Sequence, residues 1–451
     1  MATALVILAA GKGTRMNSDL PKVLHPIANL PMLAHAMRAG AALQPEHVVI
    51  VAGHGADAVA KAAQSENDAA QVVLQQEQLG TAHAVAQARG ALDGFDGDVV
   101  VLYGDTPFLG QETLERMIAA RASHDLVILG FEAADPARYG RLVMQGDTLE
   151  RIVEYKDADD AERAITFCNS GLMACRSDTL FDLIDAVGDD NAAGEYYLTD
   201  IVEIARSRGL SVTAVACDEA ETLGINSRAD LAVADAVFQA RARADLLDLG
   251  VTLMAPETVY LSADTVIGRD TVIEPNVIFG PGVTVESGVT IRAFSHLEGC
   301  HVSRGAVIGP YARLRPGAEL AEDTRIGNFV EIKEATIGEG AKVNHLSYIG
   351  DASVGAGSNI GAGTITCNYD GVMKHRTEIG ERVFIGSDTM LIAPVRVGDD
   401  AMTATGTVVT KDVEPGALAL ARSPQENKPG YAVKLFKMLR ARKAKRDAAK
   451  G

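Results

Sequence analysis

From residue 251 onward the chain repeats itself every six residues, and that period restricts the fold more than anything else in the sequence. Val266, Val272, Ile278, Val302, Ile308, Leu314, Leu320, Ile326 and Ile332 share one register, with Thr284, Thr290 and His296 at the places between. The register slips after 332 and resumes at Ile379, Ile385, Leu391, Val397 and Val409, with Thr403 between. Because 47% of all residues are apolar, such a run could arise by chance. The Ile-Gly and Val-Gly pairs decide the matter: ten lie between 267 and 398, against one in the first 250 residues. An inward apolar residue followed by one small enough for a tight corner predicts a left-handed parallel β-helix. Three hexapeptides make one triangular coil, and coils stack at one strand spacing, ~4.8 Å. A solenoid of this kind exposes long sides and open ends that association covers. Its plainest use is therefore a trimerisation platform without chemistry, since function resides in sites and not in folds.

The first half obeys a different rhythm. Ala4–Leu8, Val48–Val51, Val72–Leu74, Val99–Leu102 and Leu126–Leu129 read as buried strands, and Met32–Leu43, Thr81–Ala88 and Glu112–Arg121 as helices between them. This alternation predicts an α/β, Rossmann-like domain over residues 1–226, with a doubly wound, mostly parallel sheet and ligands beyond the carboxyl ends of its strands. Ser227–Leu249 is alanine-rich, charged and free of Gly and Pro, so residues 227–250 read as a helical linker and 251–451 as the β-helix domain.

A net charge of −18 argues against nucleic acid and acidic membranes as partners, so any phosphate must be held locally by a few placed cations and amides. The exception is the tail, where Lys428–Lys450 holds nine Lys and Arg against Asp447; a solvated basic helix end accounts for it. Cys168, Cys175, Cys217, Cys300 and Cys367 form no paired or zinc-like spacing, which fits a reducing compartment. No apolar run reaches the roughly 20 residues of a membrane helix. Met1–Ala10 lacks a basic leader and reads as a strand, not a signal peptide. A cytoplasmic protein without membrane insertion is expected.

The first strand ends in Gly11-Lys12-Gly13-Thr14-Arg15-Met16, followed by Pro21-Lys22. Glycines let the backbone wrap an anion with amide donors, and Arg15 and Lys22 add two cations. The spacing matches neither a P-loop nor the dinucleotide fingerprint, since Met16 stands where a third Gly would be. Tyr103-Gly104-Asp105 follows the run Val99–Leu102, putting a carboxylate at the lip of a central strand. There it suits Mg²⁺ beside a triphosphate, or simply caps the turn before Pro107.

Together with Gln78–Thr81, Tyr139-Gly140-Arg141, Glu154, Asn169-Ser170-Gly171, Glu195–Asp200 and Gly224-Ile225-Asn226, these motifs resemble the sugar-nucleotide pyrophosphorylase family across the first half. The resemblance implies that Arg15 and Lys22 hold the triphosphate and that Asp105 and Asn226 hold Mg²⁺. It further implies that Leu8, Gly11, Gln75, Gly80, Thr81 and Tyr103 line the UTP site, and that Gly140, Glu154 and Asn169 bind the sugar. The reaction would be in-line attack of a sugar 1-phosphate on the α-phosphorus, with no protein nucleophile.

In the β-helix, polar residues crowd where the register breaks. Arg315 and Lys333 are one coil apart and stack on one face, as a phosphate clamp or as a ladder of surface charge. Asn344-His345-Leu346-Ser347-Tyr348 supplies a histidine in a polar coil, and Thr366–Lys374 interrupts the repeat as an insertion, where solenoids commonly keep binding residues. The runs Asn344–Gly350, Asn359–Gly371 and Gly386–Thr389 resemble the bacterial bifunctional family that joins N-acetylglucosamine-1-phosphate uridylyltransferase to glucosamine-1-phosphate N-acetyltransferase. That resemblance spans the chain and implies UDP-N-acetylglucosamine synthesis from acetyl-CoA and UTP, on a homotrimer. It implies His345 as general base, Arg315, Lys333, Tyr348, Asn359 and Lys374 on the sugar phosphate, and Ala362, Asn368, Tyr369, Ser387, Thr405 and Arg422 along coenzyme A. The family commonly has Ala where Thr405 stands, a change that a backbone contact would tolerate. Direct transfer needs no thiol, so Cys367 is expected to be packed or near substrate without being a nucleophile. The alternative is a monofunctional sugar-1-phosphate nucleotidyltransferase with a structural β-helix, which leaves His345 and the insertion without purpose.

Overall fold

The structure, a computed structural model, describes residues 2–137, 139–191 and 194–449; Lys450 of the basic tail lies outside the described residues. It divides into two compact units, Met1–Asp245 with Leu261–Ala263, and Leu246–Tyr260 with Asp264–Gly451.

The first unit is built on strands β1 (Thr3–Ala9), β2 (His47–Ala52), β3 (Gln71–Leu74), β4 (Asp98–Tyr103), β5 (Leu126–Glu132), β6 (Phe167–Arg176) and β7 (Val212–Cys217). Their order across the sheet is β7-β5-β6-β4-β1-β2-β3, and a hairpin, Arg141–Gln145 with Thr148–Val153, joins at β6. β1 is buried on both faces: Leu5 and Ile7 enter one apolar layer, Ala4, Val6 and Leu8 the other. Such two-sided burial is why the parallel strands read as continuous apolar runs. The sequence reading named neither β7 nor the hairpin, and it departs from the structure at β3 and β6 as well. β3 is an edge strand, not a buried one, and Leu74 is 47% exposed. β6 runs antiparallel to both neighbours and was not foreseen, because Asn169-Ser170-Gly171 looks like turn chemistry. Asn169 still pairs with Gly130, and Ser170 and Gly171 fall in a bulge between Asn169 and Met173, a device that re-aims side chains beside a site.

The long helix spans Arg228–Asp248. Most of it packs on the first unit: Ala234 is fully buried in a cluster with Ile27, Met32, Phe108 and Ile225, and Asp235 Oδ1 accepts from the Ala28 amide at 2.9 Å. Gln239 exchanges two hydrogen bonds with the Leu261 backbone, at 2.7 and 2.9 Å, which draws residues 261–263 into this unit.

The second unit is a left-handed parallel β-helix, its short strands pairing in parallel from coil to coil. The inward set differs from the expected one at the start. Ile267, Ile273, Phe279, Val285, Ile291 and Leu297 are buried, whereas Val266 is 58% and Ile278 45% exposed; Thr284, Thr290 and His296 also face away from the core. One coil is then a residue short, pairing Thr284 with His301 where a full coil would bring Val302. From Val302 the inward residues are the expected ones, and Ile379, Ile385, Leu391, Val397, Thr403 and Val409 are buried after the insertion. Doublets such as Val266-Ile267 hid the offset, because outward strand positions also favour β-branched residues. A basic helix, Tyr431–Ala448, ends the described chain with every residue exposed.

Candidate active sites

In the first unit, β1 pairs Leu8 with Tyr103 on β4, so both strands end at the same edge of the sheet. Leu8, Gly11, Lys22, Gln75, Gly80, Thr81, Tyr103 and Asp105 line one cavity of ≈ 340 Å³ there, together with Gln78 and Glu195. Gly80 must be glycine: its φ is 121°, and a Cβ would lie 2.4 Å from the Tyr196 carbonyl oxygen. Gln75 is buried and its Nε2 donates to the Gly80 carbonyl and contacts His83 Nδ1, both at 3.1 Å, which fixes its side chain against the cavity wall. Gln78, to which the sequence reading gave no role, donates to the Ala10 carbonyl at 3.1 Å and ties this loop to the glycine loop.

In the lining of this cavity the Lys22 ammonium is paired with Asp105, and it also donates to Asn226 Oδ1 at 3.1 Å. Two hard oxygens from distant parts of the sequence thus converge on one positive charge. Gly140, Glu154 and Asn169 form a second group: a Cβ on Gly140 would lie 3.4 Å from Glu154 Oε1 and 3.6 Å from Asn169 Cβ. Gly171 packs on the Tyr103 ring, joining this group to the cavity. Burial first, then Asp157 and Asp200, holds the Glu154 carboxyl above the usual range, and burial raises the Tyr103 phenol. Arg15 is exposed in the turn Thr14–Met16 and does not line the cavity.

In the β-helix, the strand pairing that sets Leu314 against Ile332 stacks Arg315 over Lys333. Arg315 donates to Glu331 Oε1 at 2.8 Å, and Lys333 lies 3.7 Å from Asp351 Oδ1. Asn368, 7% exposed, donates to the Tyr348 hydroxyl at 3.3 Å and to Asp351 Oδ2. Asn328 is paired with His345 on the next coil, and its Oδ1 is 2.9 Å from His345 Nδ1. An amide oxygen only accepts, so in this contact Nδ1 is the donor, the orientation that aims Nε2 away from Asn328. A groove of ≈ 510 Å³ lined by Arg292, Tyr311, Arg325, Asn328 and Phe329 opens beside His345.

From His345 upward the coils carry Ala362, Ser387 and Thr405 in line: the Gly363 amide reaches the His345 carbonyl at 3.2 Å, Asp388 that of Ala362 at 2.7 Å, and Gly406 that of Ser387 at 2.8 Å. Arg422 closes the line by donating to the Thr405 carbonyl at 2.8 Å, a contact through the backbone that a threonine side chain does not disturb. Asn359 lies on the strand that pairs with Lys342, and Tyr369 and Lys374 face each other across the insertion. Burial raises the Cys367 thiol and keeps it protonated, the wrong state for a nucleophile. Asn328, Glu331 and Asp351 escaped the sequence reading. Only the coil spacing, which places each one coil from a residue it serves, pointed to them.

Fold and sites together define a nucleotidyltransferase joined to a hexapeptide-repeat transferase. Residues 5–171 match the MobA-like NTP transferase domain family, and 264–299 match the bacterial transferase hexapeptide family of six repeats. The chain is 77% identical to the bifunctional protein GlmU of Ruegeria sp. (strain TM1040) over 98% of this chain and 99% of that protein. It is 81% identical to that of Ruegeria pomeroyi, over 99% of each, and 67% identical to that of Roseobacter denitrificans, over 99% of each. The chain belongs to the GlmU family of bifunctional proteins. It is a uridylyltransferase and acetyltransferase of UDP-N-acetylglucosamine synthesis, and the monofunctional alternative is not favoured.

Proposed function

We infer that the acetyl site lies at His345 and the uridylyl site at Lys22, Asp105 and Asn226, and that the chain works as a cytoplasmic homotrimer. The observation that carries the acetyl assignment is the Asn328–His345 contact at the foot of the Ala362–Thr405 line. His345 Nε2 takes a proton as the glucosamine amine attacks the thioester carbon, and coenzyme A leaves as its thiol. Arg315, Lys333, Tyr348, Asn359 and Lys374 hold the sugar phosphate; Asn368, Tyr369, Ser387, Thr405 and Arg422 lie along the coenzyme.

In the first unit, a phosphate oxygen of N-acetylglucosamine 1-phosphate attacks the α-phosphorus of UTP and pyrophosphate departs in line. Lys22 stabilises charge on the transferring group, with Arg15 reaching the triphosphate from the exposed turn. Gln75, Gly80 and Thr81 read the base, and Gly140, Glu154 and Asn169 the sugar. The donors fit Mg²⁺, because Asp105 and Asn226 already converge on a cationic group, and that ion takes few protein oxygens beside phosphate. When bound, it would neutralise charge on the phosphate oxygens.

The trimer is supported by an apolar ladder on consecutive coils. Phe294 stacks on Tyr311 at 4.9 Å and Tyr311 on Phe329 at 5.2 Å, while the three are 51%, 47% and 56% exposed. All three have left-handed backbones, strained for bulky residues and worthwhile where a surface must be covered. Among the described residues no helix is long and apolar enough to cross a membrane.

Product analysis tests the whole reading. Protein given glucosamine 1-phosphate, acetyl-CoA, UTP and Mg²⁺ should form UDP-N-acetylglucosamine and free coenzyme A. A UDP-sugar that appears only when N-acetylglucosamine 1-phosphate is supplied would reduce the β-helix to a platform.

A further inference from the structure

We propose that Asp351 couples the two substrates of the acetyl site, so that glucosamine 1-phosphate and the coenzyme tighten each other's binding. The inference rests on the assignment of Lys333 to the sugar phosphate and Asn368 to the coenzyme. Each oxygen of the Asp351 carboxylate has its own partner: Oδ1 lies 3.7 Å from the Lys333 ammonium, and Oδ2 accepts from the Asn368 amide. The lysine and aspartate side chains are only 16% and 21% exposed, so their charges are weakly screened. Asn368 also donates to Tyr348, which stands in the sugar-phosphate group, so the coenzyme side has one further tie to the sugar side.

One carboxylate shared by two donors cannot serve both at full strength. A bound phosphate takes up part of the Lys333 charge and relaxes its pull on Oδ1. More of the carboxylate's acceptor strength then falls on Asn368, which firms the start of the insertion where the coenzyme binds. Linkage makes the effect reciprocal: whatever the sugar phosphate does for the coenzyme, the coenzyme does for the sugar phosphate. Asp351 touches neither substrate in this scheme and is a positioning residue.

The backbone at Asp351 has φ 49°, a left-handed conformation. Asp351→Gly therefore removes the side chain without strain, and Asp351→Asn keeps its size while withdrawing the charge. The test is calorimetric titration of glucosamine 1-phosphate into full-length protein, with and without saturating coenzyme A, a pair that cannot turn over. In the parent, coenzyme A should tighten the sugar phosphate about fivefold or more. In both variants the ratio should fall to within about twofold of unity, with uridylyl transfer and melting temperature kept as checks on folding. A ratio of one in the parent, or a parental ratio retained in both variants, overturns the proposal. Lys333→Ala with unchanged sugar-phosphate affinity, or Asn368→Ala with unchanged coenzyme affinity, overturns instead the assignment beneath it.

Discussion

His345 Nδ1 sits 2.9 Å from Asn328 Oδ1, and the two residues are direct partners across neighbouring coils. A rigid stack of coils thus sets both the tautomer and the aim of an otherwise exposed imidazole. Asn328→Ala should lower kcat for acetyl transfer by about tenfold, a part of the ~10²–10⁴ that a general base contributes, with KM values little changed. Asn328→Asp should move the acid limb of the kcat profile to higher pH, because a carboxylate favours the imidazolium. Steady-state kinetics of thiol release between pH 5 and 9 checks both; an unshifted limb in the Asp variant would remove Asn328 from the site.

Two reactions assigned to two units should be separable by single substitutions. Asp105→Ala should cut uridylyl transfer by about 10²–10³-fold, the scale of losing a principal electrostatic group, and leave acetylation within twofold of the parent. His345→Ala should do the reverse. Pyrophosphate and free thiol are assayed independently, so each variant reports on both sites. If either change silenced both reactions in folded protein, the division of labour would be wrong.

The sequence was most legible where one physical cause acts alone. Two-sided burial made β1 and β4 readable as strands, and the loops that follow them fell where the Leu8–Tyr103 pairing requires. The Ile-Gly and Val-Gly pairs betrayed the β-helix because its corners admit little else. Reading failed where two causes compete. Asn169-Ser170-Gly171 has turn chemistry, yet falls at a bulge inside a strand held by its neighbours. Val266-Ile267 is apolar twice over, and only a coil of unequal length decides which residue faces in. Asn328, Glu331 and Asp351 have no motif of their own. Their roles exist only once stacking sets them beside His345, Arg315 and Lys333.

Glu154 should weaken the fold it serves. Burial, with Asp157 and Asp200 nearby, raises its carboxyl, so ionising it costs the folded protein more than the unfolded chain. Stability from this group is complete below the unfolded value near 4.5 and is lost as pH rises through the raised folded value. Glu154→Gln should therefore raise the melting temperature at pH 7.5, by on the order of 2 °C, and converge with the parent below about pH 4.5. The same change should weaken N-acetylglucosamine 1-phosphate, since a site kept charged against its own stability is kept for a ligand. Melting scans at several pH values, beside KM measurements, test the pair of effects. An equal gain at all pH values would show that the charge is not the cause.

Arg141 is the largest fully buried side chain among the described residues, and its partners explain why a cation is tolerated there. The guanidinium donates to the carbonyls of Pro136 and Ala137, at 3.1 and 3.2 Å, to that of Tyr139, and to that of Arg163 at 3.3 Å. It therefore fastens the loop before Gly140 to the end of the helix Asp160–Arg163, and the Gly140 carbonyl in turn receives the Asn169 amide at 2.8 Å. Arg141→Met would leave the Ala137, Tyr139 and Arg163 carbonyls without this donor, while Pro136 keeps the Tyr139 amide at 3.1 Å; at ~1–3 kcal/mol for each buried group, a loss of about 3 kcal/mol is expected after relaxation. Arg141→Lys supplies charge but no fork and should lose about half as much. Both should raise KM for N-acetylglucosamine 1-phosphate, the lysine variant by several-fold, while acetyl transfer on the other unit stays at the parental rate. Urea unfolding gives the stability term, and the two assays give the rest. A lysine variant destabilised with an unchanged KM would mean that Arg141 supports the fold alone and leaves the sugar pocket to Glu154 and Asn169.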